Sequence, residues 1–343
     1  MPEFHGTLTP LRFESRVLKG NPLGDPHVRE VPIYLPPHYF TNPSRRFPVI
    51  YFLTGFTGKG TMLLNDSIWV ERLDARLERL IRARKLVESI VVMPDCSTRY
   101  GGSQYLNSPA NGRYEDLIVR ELAPFVDKNY RTIRDPRARA VMGKSSGGYG
   151  AIVLGMRHPN VFGLVACHSG DMHFELCYKP DLLQLLTTAP KLGGVARFFR
   201  DFPKWTQKQG RETMPLLNAM AMAMAYSPRP GKTPPFELPY DERTGELKEA
   251  VWREWLRWDP IVMASRCRSN LKKLSLLYLD CGTRDEYMLH FGARAMAARL
   301  RALGVKFIHE EFDDGHMNLQ YRYDRSLALI SATFKRLGRK LVY

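Results

Sequence analysis

The chain has 343 residues, with 44% hydrophobic and 25% charged content, ordinary for a soluble globular protein and long enough for one large α/β domain with an insertion or for two smaller domains. Its 51 Lys and Arg against 35 Asp and Glu leave a net charge of +16, which would favour an anionic substrate or partner. The basic residues are scattered rather than gathered in a stripe with interleaved aromatics, so nucleic acid is not expected as a partner.

The first stretches with strand character are Leu11 to Leu18 and Val28 to Leu35, the second closed by Pro36-Pro37. They read as an antiparallel pair at a sheet edge. Phe47 to Leu53 (FPVIYFL) is a continuous apolar run, as in a strand buried on both faces of a parallel sheet. It ends in the glycine-rich turn Thr54 to Gly60. Ile68 to Leu86 has helical apolar spacing, and Ser89 to Met93 is the next buried strand. The loop 94–112 leaves a strand end, the edge where open α/β sheets bind ligands. Tyr114 to Tyr130 is helical in spacing, and Ala138 to Met142 and Val161 to Cys167 are strands.

From 172 to 258 helical pieces mix with Pro-rich turns, and no buried-strand run occurs. This span is expected to be a mostly helical cap, dividing the α/β core into 1–171 and 259–343. Its Met214 to Met224 stretch and its Trp205, Trp252, Trp255 and Trp258 read first as cap core, and the methionines second as an adaptable acyl pocket. Alternation resumes with strands at Ser275 to Leu279 and Val305 to Phe312 and helices at Met288 to Leu303 and Leu327 to Leu337. Alternating strands and helices predict a mainly parallel sheet with helices on both faces.

The informative stretch is Ala138 to Ala151, ARAVMGKSSGGYGA. It places Gly143-Lys144-Ser145-Ser146-Gly147, a G-x-S-x-G pattern, between a strand and a helix. A serine on such a turn projects its hydroxyl clear of the sheet, and flanking glycines relieve the crowding. The helix N-terminus then points N–H groups at an anion forming on an attacked carbonyl. A serine nucleophile needs a base and an acid, in the chain order nucleophile, acid, histidine. Asp280-Cys281-Gly282-Thr283-Arg284-Asp285-Glu286 follows one strand, and Asp313-Asp314-Gly315-His316 follows the last. The candidate triad is Ser145, Asp285 and His316, with Asp280 and Glu286 as competing acids and His168, His173 and His290 as competing histidines. The oxyanion donors are expected from the backbone of Ser146 and of Phe56. Tyr105, Asn107, His168 and His290 are weaker candidates for substrate contacts.

With these residues in hand, the chain resembles the α/β-hydrolase family that includes esterase D (S-formylglutathione hydrolase), enterochelin-esterase-like proteins, feruloyl esterases and mycolyltransferases. The resemblance rests on VPIYLPPHY, PVIYFLTGFTG, GKSSGGYGA, GTRDE and FDDGH, in that order. It implies the α/β-hydrolase fold and a serine carboxylic-ester hydrolase with Ser145, Asp285 and His316 as triad, acting on a small-molecule ester. No metal or organic cofactor is called for. Thr54-Gly55 stands where many members have His-Gly, and Lys144 where His is common, so the substrate does not carry over. An acyltransferase on the same site, or a non-catalytic binder of anionic ligands, are the competing readings. The N-terminal MPEFHGTLTPLRFES lacks the pattern of a signal peptide, and no apolar run is long enough to span a bilayer. The five scattered cysteines suit a reduced compartment, so a cytoplasmic protein is expected, with a homo-oligomer left open.

Overall fold

The computed structural model describes residues 5–208, 210 and 213–341. Its frame is a sheet of β1 (Thr7–Glu14), β2 (Val28–Leu35), β3 (Val49–Leu53), β4 (Ile90–Val92), β5 (Arg139–Lys144), β6 (Leu164–His168), β7 (Leu276–Gly282) and β8 (Ile308–Phe312). The strand order is β1-β2-β4-β3-β5-β6-β7-β8. β1 and β4 pair antiparallel with β2, and all other neighbours are parallel. The longer helices are α1 (Leu73–Arg82), α2 (Ser146–Arg157), α3 (Lys179–Thr188), α4 (Thr213–Tyr226), α5 (Glu249–Leu256), α6 (Leu289–Ala302) and α7 (Tyr323–Leu341).

The apolar strand runs have a simple cause. Successive side chains point to opposite faces. Val49, Tyr51 and Leu53 of β3 pack in one core cluster, and Ile50 and Phe52 pack in another. Val141 against Ala140 and Met142 in β5, and Leu277 and Leu279 against Leu276 and Tyr278 in β7, repeat the alternation. With both faces covered, both positions favour apolar residues, and a polar one is held only where partners satisfy it. α1 (Leu73, Leu77, Leu80) and α7 (Tyr323, Leu327, Ile330) close one face. On the other face, α2 packs together with residues from the span 172–258. Leu182 of α3, Leu216 and Met220 of α4 and Trp255 of α5 lie in the same cluster as Val141, Val165 and Leu277.

Some boundaries differ from those expected. The first strand ends at Glu14 rather than Leu18, because the Ser15 hydroxyl accepts the Leu18 N–H (3.2 Å) and closes a turn. The expected helix from Ile68 begins only at Leu73. Ile68 and Trp69 are each 87% exposed, so no apolar partner draws that end into a helix. Among the described residues no helix is long and apolar enough to cross a membrane.

The methionine-rich stretch divides. Met220, Met222 and Met224 are buried core, whereas Met214 lines the cavity described below. Trp252 and Trp255 are also core, their indole N–H groups bonded to Glu175 (2.7 Å) and to Ser227 (2.8 Å).

Candidate active site

Ser145 links β5 to α2 with φ 57° and ψ −128°, a left-handed backbone that a side-chain-bearing residue adopts only under strain. Its N–H donates to the His168 carbonyl (2.9 Å), and its carbonyl accepts the Tyr149 N–H (2.9 Å). The turn is also crowded. A Cβ on Gly143 would lie 2.6 Å from Gly147, and one on Gly147 would lie 2.5 Å from the Leu53 carbonyl oxygen and 2.7 Å from that of Thr54. Close backbone approach therefore demands both glycines. Gly147→Ala is expected to cost about 1–3 kcal/mol in stability, since the obstacle is backbone rather than a flexible side chain. A urea midpoint equal to that of the parent protein would contradict this reading of the turn.

Asp285 and His316 come from the loops after β7 and β8. Asp285 Oδ2 accepts from His316 Nδ1 at 2.8 Å, and Asp285 Oδ1 accepts the Tyr287 N–H at 2.9 Å. Burial works against charge on Asp285, but the bond and field of His316, with the Leu289 and Tyr287 amides, hold its pKa below the usual carboxylate value. Glu286 takes a different place: its Oε2 accepts the His316 backbone N–H at 2.6 Å. The Tyr287 ring stands edge-on to His316, centroids 4.8 Å apart. Ser145 and His316 line one cavity of about 420 Å³, together with Gly55, Phe56 and Ser146. A Cβ on Gly55 would lie 3.4 Å from that of Ser145, so the loop after β3 passes close over the serine. Lys144 also lines the cavity, and burial lowers its pKa against the opposing influence of Asp285 and Glu286.

The other acid and the weaker substrate candidates sit elsewhere. Asp280 is 2% exposed and accepts from His168 Nδ1 (2.7 Å), Tyr278 (2.8 Å) and Arg322 (3.0 Å). His168 Nε2 meets the Ser326 hydroxyl at 2.8 Å, so both ring nitrogens are used inside the fold. Tyr105 is buried behind the Thr54–Phe56 turn and donates to the Thr54 carbonyl, packed where any Cβ on Gly150 would collide with it. Asn107 accepts the Asp116 N–H (3.0 Å), stabilising the start of the next helix, and His290 is buried in α6 beside Phe291. None of these four is among the cavity's lining residues.

Burial opposes charge on Asp280 too, but His168, Tyr278 and Arg322 outweigh it and lower its pKa. A carboxylate depressed on folding stabilises fully above its unfolded pKa, about 3.9, and loses that contribution as the pH falls through the folded value. Asp280→Asn is therefore expected to cost about 2–4 kcal/mol near neutrality and to flatten the acid limb of stability below about pH 4. Urea unfolding across that window measures both effects, and an unchanged acid limb would exclude Asp280 as a contributor.

Two cavity residues were not legible as site residues. Asp171 follows the end of β6, on the same sheet edge as Ser145; its Oδ2 accepts from Gln104 Nε2 (3.0 Å), Tyr178 (2.9 Å) and Ser146 Oγ (3.3 Å). Asp181 of α3 accepts from Asn218 Nδ2 of α4 at 2.6 Å. Burial raises both carboxyl pKa values, against the hydrogen bonds they accept. The strand-end position of Asp171 was a usable signal. Asp181 carried none, because only the packing of α3 on α4 brings it to the cavity.

A mostly parallel sheet covered by helices, with a serine on a strained strand-to-helix turn, has the architecture of an α/β-hydrolase. The fold resembles a ferulic acid esterase (TM-score 0.63, 19% identity, 97% of this chain and 100% of that one). It also resembles S-formylglutathione hydrolase from Staphylococcus aureus (TM-score 0.58, 14% identity, 95% and 99%). The chain belongs to the "Putative esterase" family of carboxylic-ester hydrolases, whose family model matches residues 26–317. Among curated relatives, it is 30% identical over 163 residues to an esterase of Mycobacterium tuberculosis (strain ATCC 25618 / H37Rv), covering 46% of this chain and 31% of that protein. It is 25% identical over 191 residues to the uncharacterised protein YbbA of Bacillus subtilis (strain 168), covering 54% of this chain and 70% of that protein.

Proposed function

We propose that the protein hydrolyses a small-molecule carboxylic ester through an acyl-enzyme on Ser145. The observation that carries this is the cavity holding Ser145 at its strained turn together with a His316 ring bonded through Nδ1 to Asp285. With the Nδ1 proton donated to Asp285, His316 presents Nε2 as the base. Nε2 takes the Ser145 proton as Oγ attacks the carbonyl carbon, then returns it to the departing alcohol. The N–H groups of Ser146, at the start of α2, and of Phe56, in the loop over Ser145, are the expected oxyanion donors. Water repeats the sequence to release the acid. The span 172–258 supplies part of the cavity wall through Tyr178, Asp181, Met214 and Asn218 and acts as the cap of the site.

An alkyl fluorophosphonate tests the nucleophile directly. Ser145 Oγ bonds to phosphorus and fluoride leaves, so the peptide bearing Ser145 should gain the phosphonyl mass. Labelling on another residue, or none under conditions that preserve the fold, would remove Ser145 from its role.

A further inference from the structure

The cavity carries two acidic groups that ester cleavage does not require. Asp171 is 7% exposed, and its hydrogen bonds from Gln104, Tyr178 and Ser146 all fall on Oδ2. A carboxyl oxygen can accept several bonds whether or not the group is ionised, and burial works against the charge on Asp171. Oδ1 takes none of these bonds. Asp181 accepts one bond, from Asn218 on Oδ2. Among the described residues neither aspartate forms an ion pair. Lys144, the lysine of the lining, feels Asp285 and Glu286 instead.

Ionising both carboxyl groups in one cavity costs mutual repulsion and lost hydration. Asp171 also touches Ser146, whose N–H is expected to hold the oxyanion. Negative charge there opposes the charge that develops in the transition state, and a neutral substrate offers nothing to offset it. A substrate cation would offset both costs. The rings of Tyr178 and Tyr287 line the same cavity, and aromatic faces attract cations.

We propose that the protein selects esters bearing an ammonium group, seated between Asp171, Asp181, Tyr178 and Tyr287, with Asp181 setting the preference. This rests on the hydrolytic reading of Ser145. It also runs against the chain's net charge, which taken alone favours anions: the charge that matters for specificity is the local one.

Isosteric pairs with a fixed charge test it. For the acyl side, phenyl 4-(trimethylammonio)butanoate is compared with phenyl 5,5-dimethylhexanoate. For the alcohol side, 2-(trimethylammonio)ethyl benzoate is compared with 3,3-dimethylbutyl benzoate. In one of the two pairs kcat/KM for the cation should exceed that for its neutral twin by about 10-fold or more, and Asp181→Asn should bring that ratio close to one. Which pair responds tells whether the cation belongs to the acid or to the alcohol. Ser145-dependent hydrolysis with ratios at or below one in both pairs would overturn the preference and leave the esterase reading standing. If neither pair is hydrolysed, tetramethylammonium binding to Ser145→Ala, measured by calorimetry, decides. Binding that Asp181→Asn abolishes supports the cation seat, and its absence overturns it. Failure of every neutral ester would count separately, against the esterase reading.

Discussion

Ser145→Ala is expected to lower kcat/KM for any hydrolysed ester by about 10⁴- to 10⁶-fold, a loss of roughly 5–8 kcal/mol of transition-state stabilisation. The loss should appear almost wholly in kcat. Alanine removes the attacking oxygen but leaves the cavity, the oxyanion donors and the His316–Asp285 pair in place. The variant should fold, since alanine at φ 57° carries the same backbone strain as serine. Ser145→Gly separates strain from chemistry. It should be as inactive, yet more stable than the parent by about 1 kcal/mol, because glycine adopts that backbone freely. Loss of less than about 100-fold in the alanine variant, measured on p-nitrophenyl esters of increasing chain length, would mean that another group starts the reaction.

The second large effect separates two adjacent acids. Asp285→Asn should lower kcat by about 10³- to 10⁴-fold. The amide no longer stabilises the imidazolium and admits the wrong tautomer of His316, whose Nδ1 now meets Oδ2 of Asp285 at 2.8 Å. Glu286→Gln should cost only about 10-fold, because the amide oxygen can still accept the His316 N–H that Glu286 now holds at 2.6 Å. Steady-state kinetics on one ester suffices. If Glu286→Gln were the more damaging of the two, the roles assigned to these neighbours would have to be exchanged.

Chain order revealed much of this arrangement because the chemistry-bearing residues follow strands whose apolar runs are unmistakable. FPVIYFL and SIVVM are legible because both faces of β3 and β4 are covered, which favours apolar residues on each. Ser145 and Asp285 lie just beyond such strands and His316 just beyond β8, a half-buried edge strand, so sheet topology gathers all three on one edge. Choosing among Asp280, Asp285 and Glu286 was harder, since all three sit within seven residues and differ only in where their side chains turn. Asp280 turns to the His168–Arg322 network inside the fold, which no local pattern announces. Helix ends at the surface were equally opaque. The apolar spacing from Ile68 continues past the point where the body of the protein stops offering partners. Asp181 and Asn218 meet only because α3 and α4 pack together, and contacts made by packing leave no mark in sequence spacing.

The shared core beneath α3, α4 and α5 has a consequence for how the cavity can change. Leu182, Leu216, Met220 and Trp255 belong to the same apolar cluster as Val141 and Leu277 of the sheet, so α3 and α4, which bring Asp181, Met214 and Asn218 to the cavity wall, are anchored to the sheet that carries Ser145. Helices seated in this way cannot be exchanged or deleted as a module without stripping one face of the sheet. New substrate preferences are then reached by replacing single side chains along the wall, such as Met214 or Asn218, while the scaffold that aligns the reacting groups stays as it is.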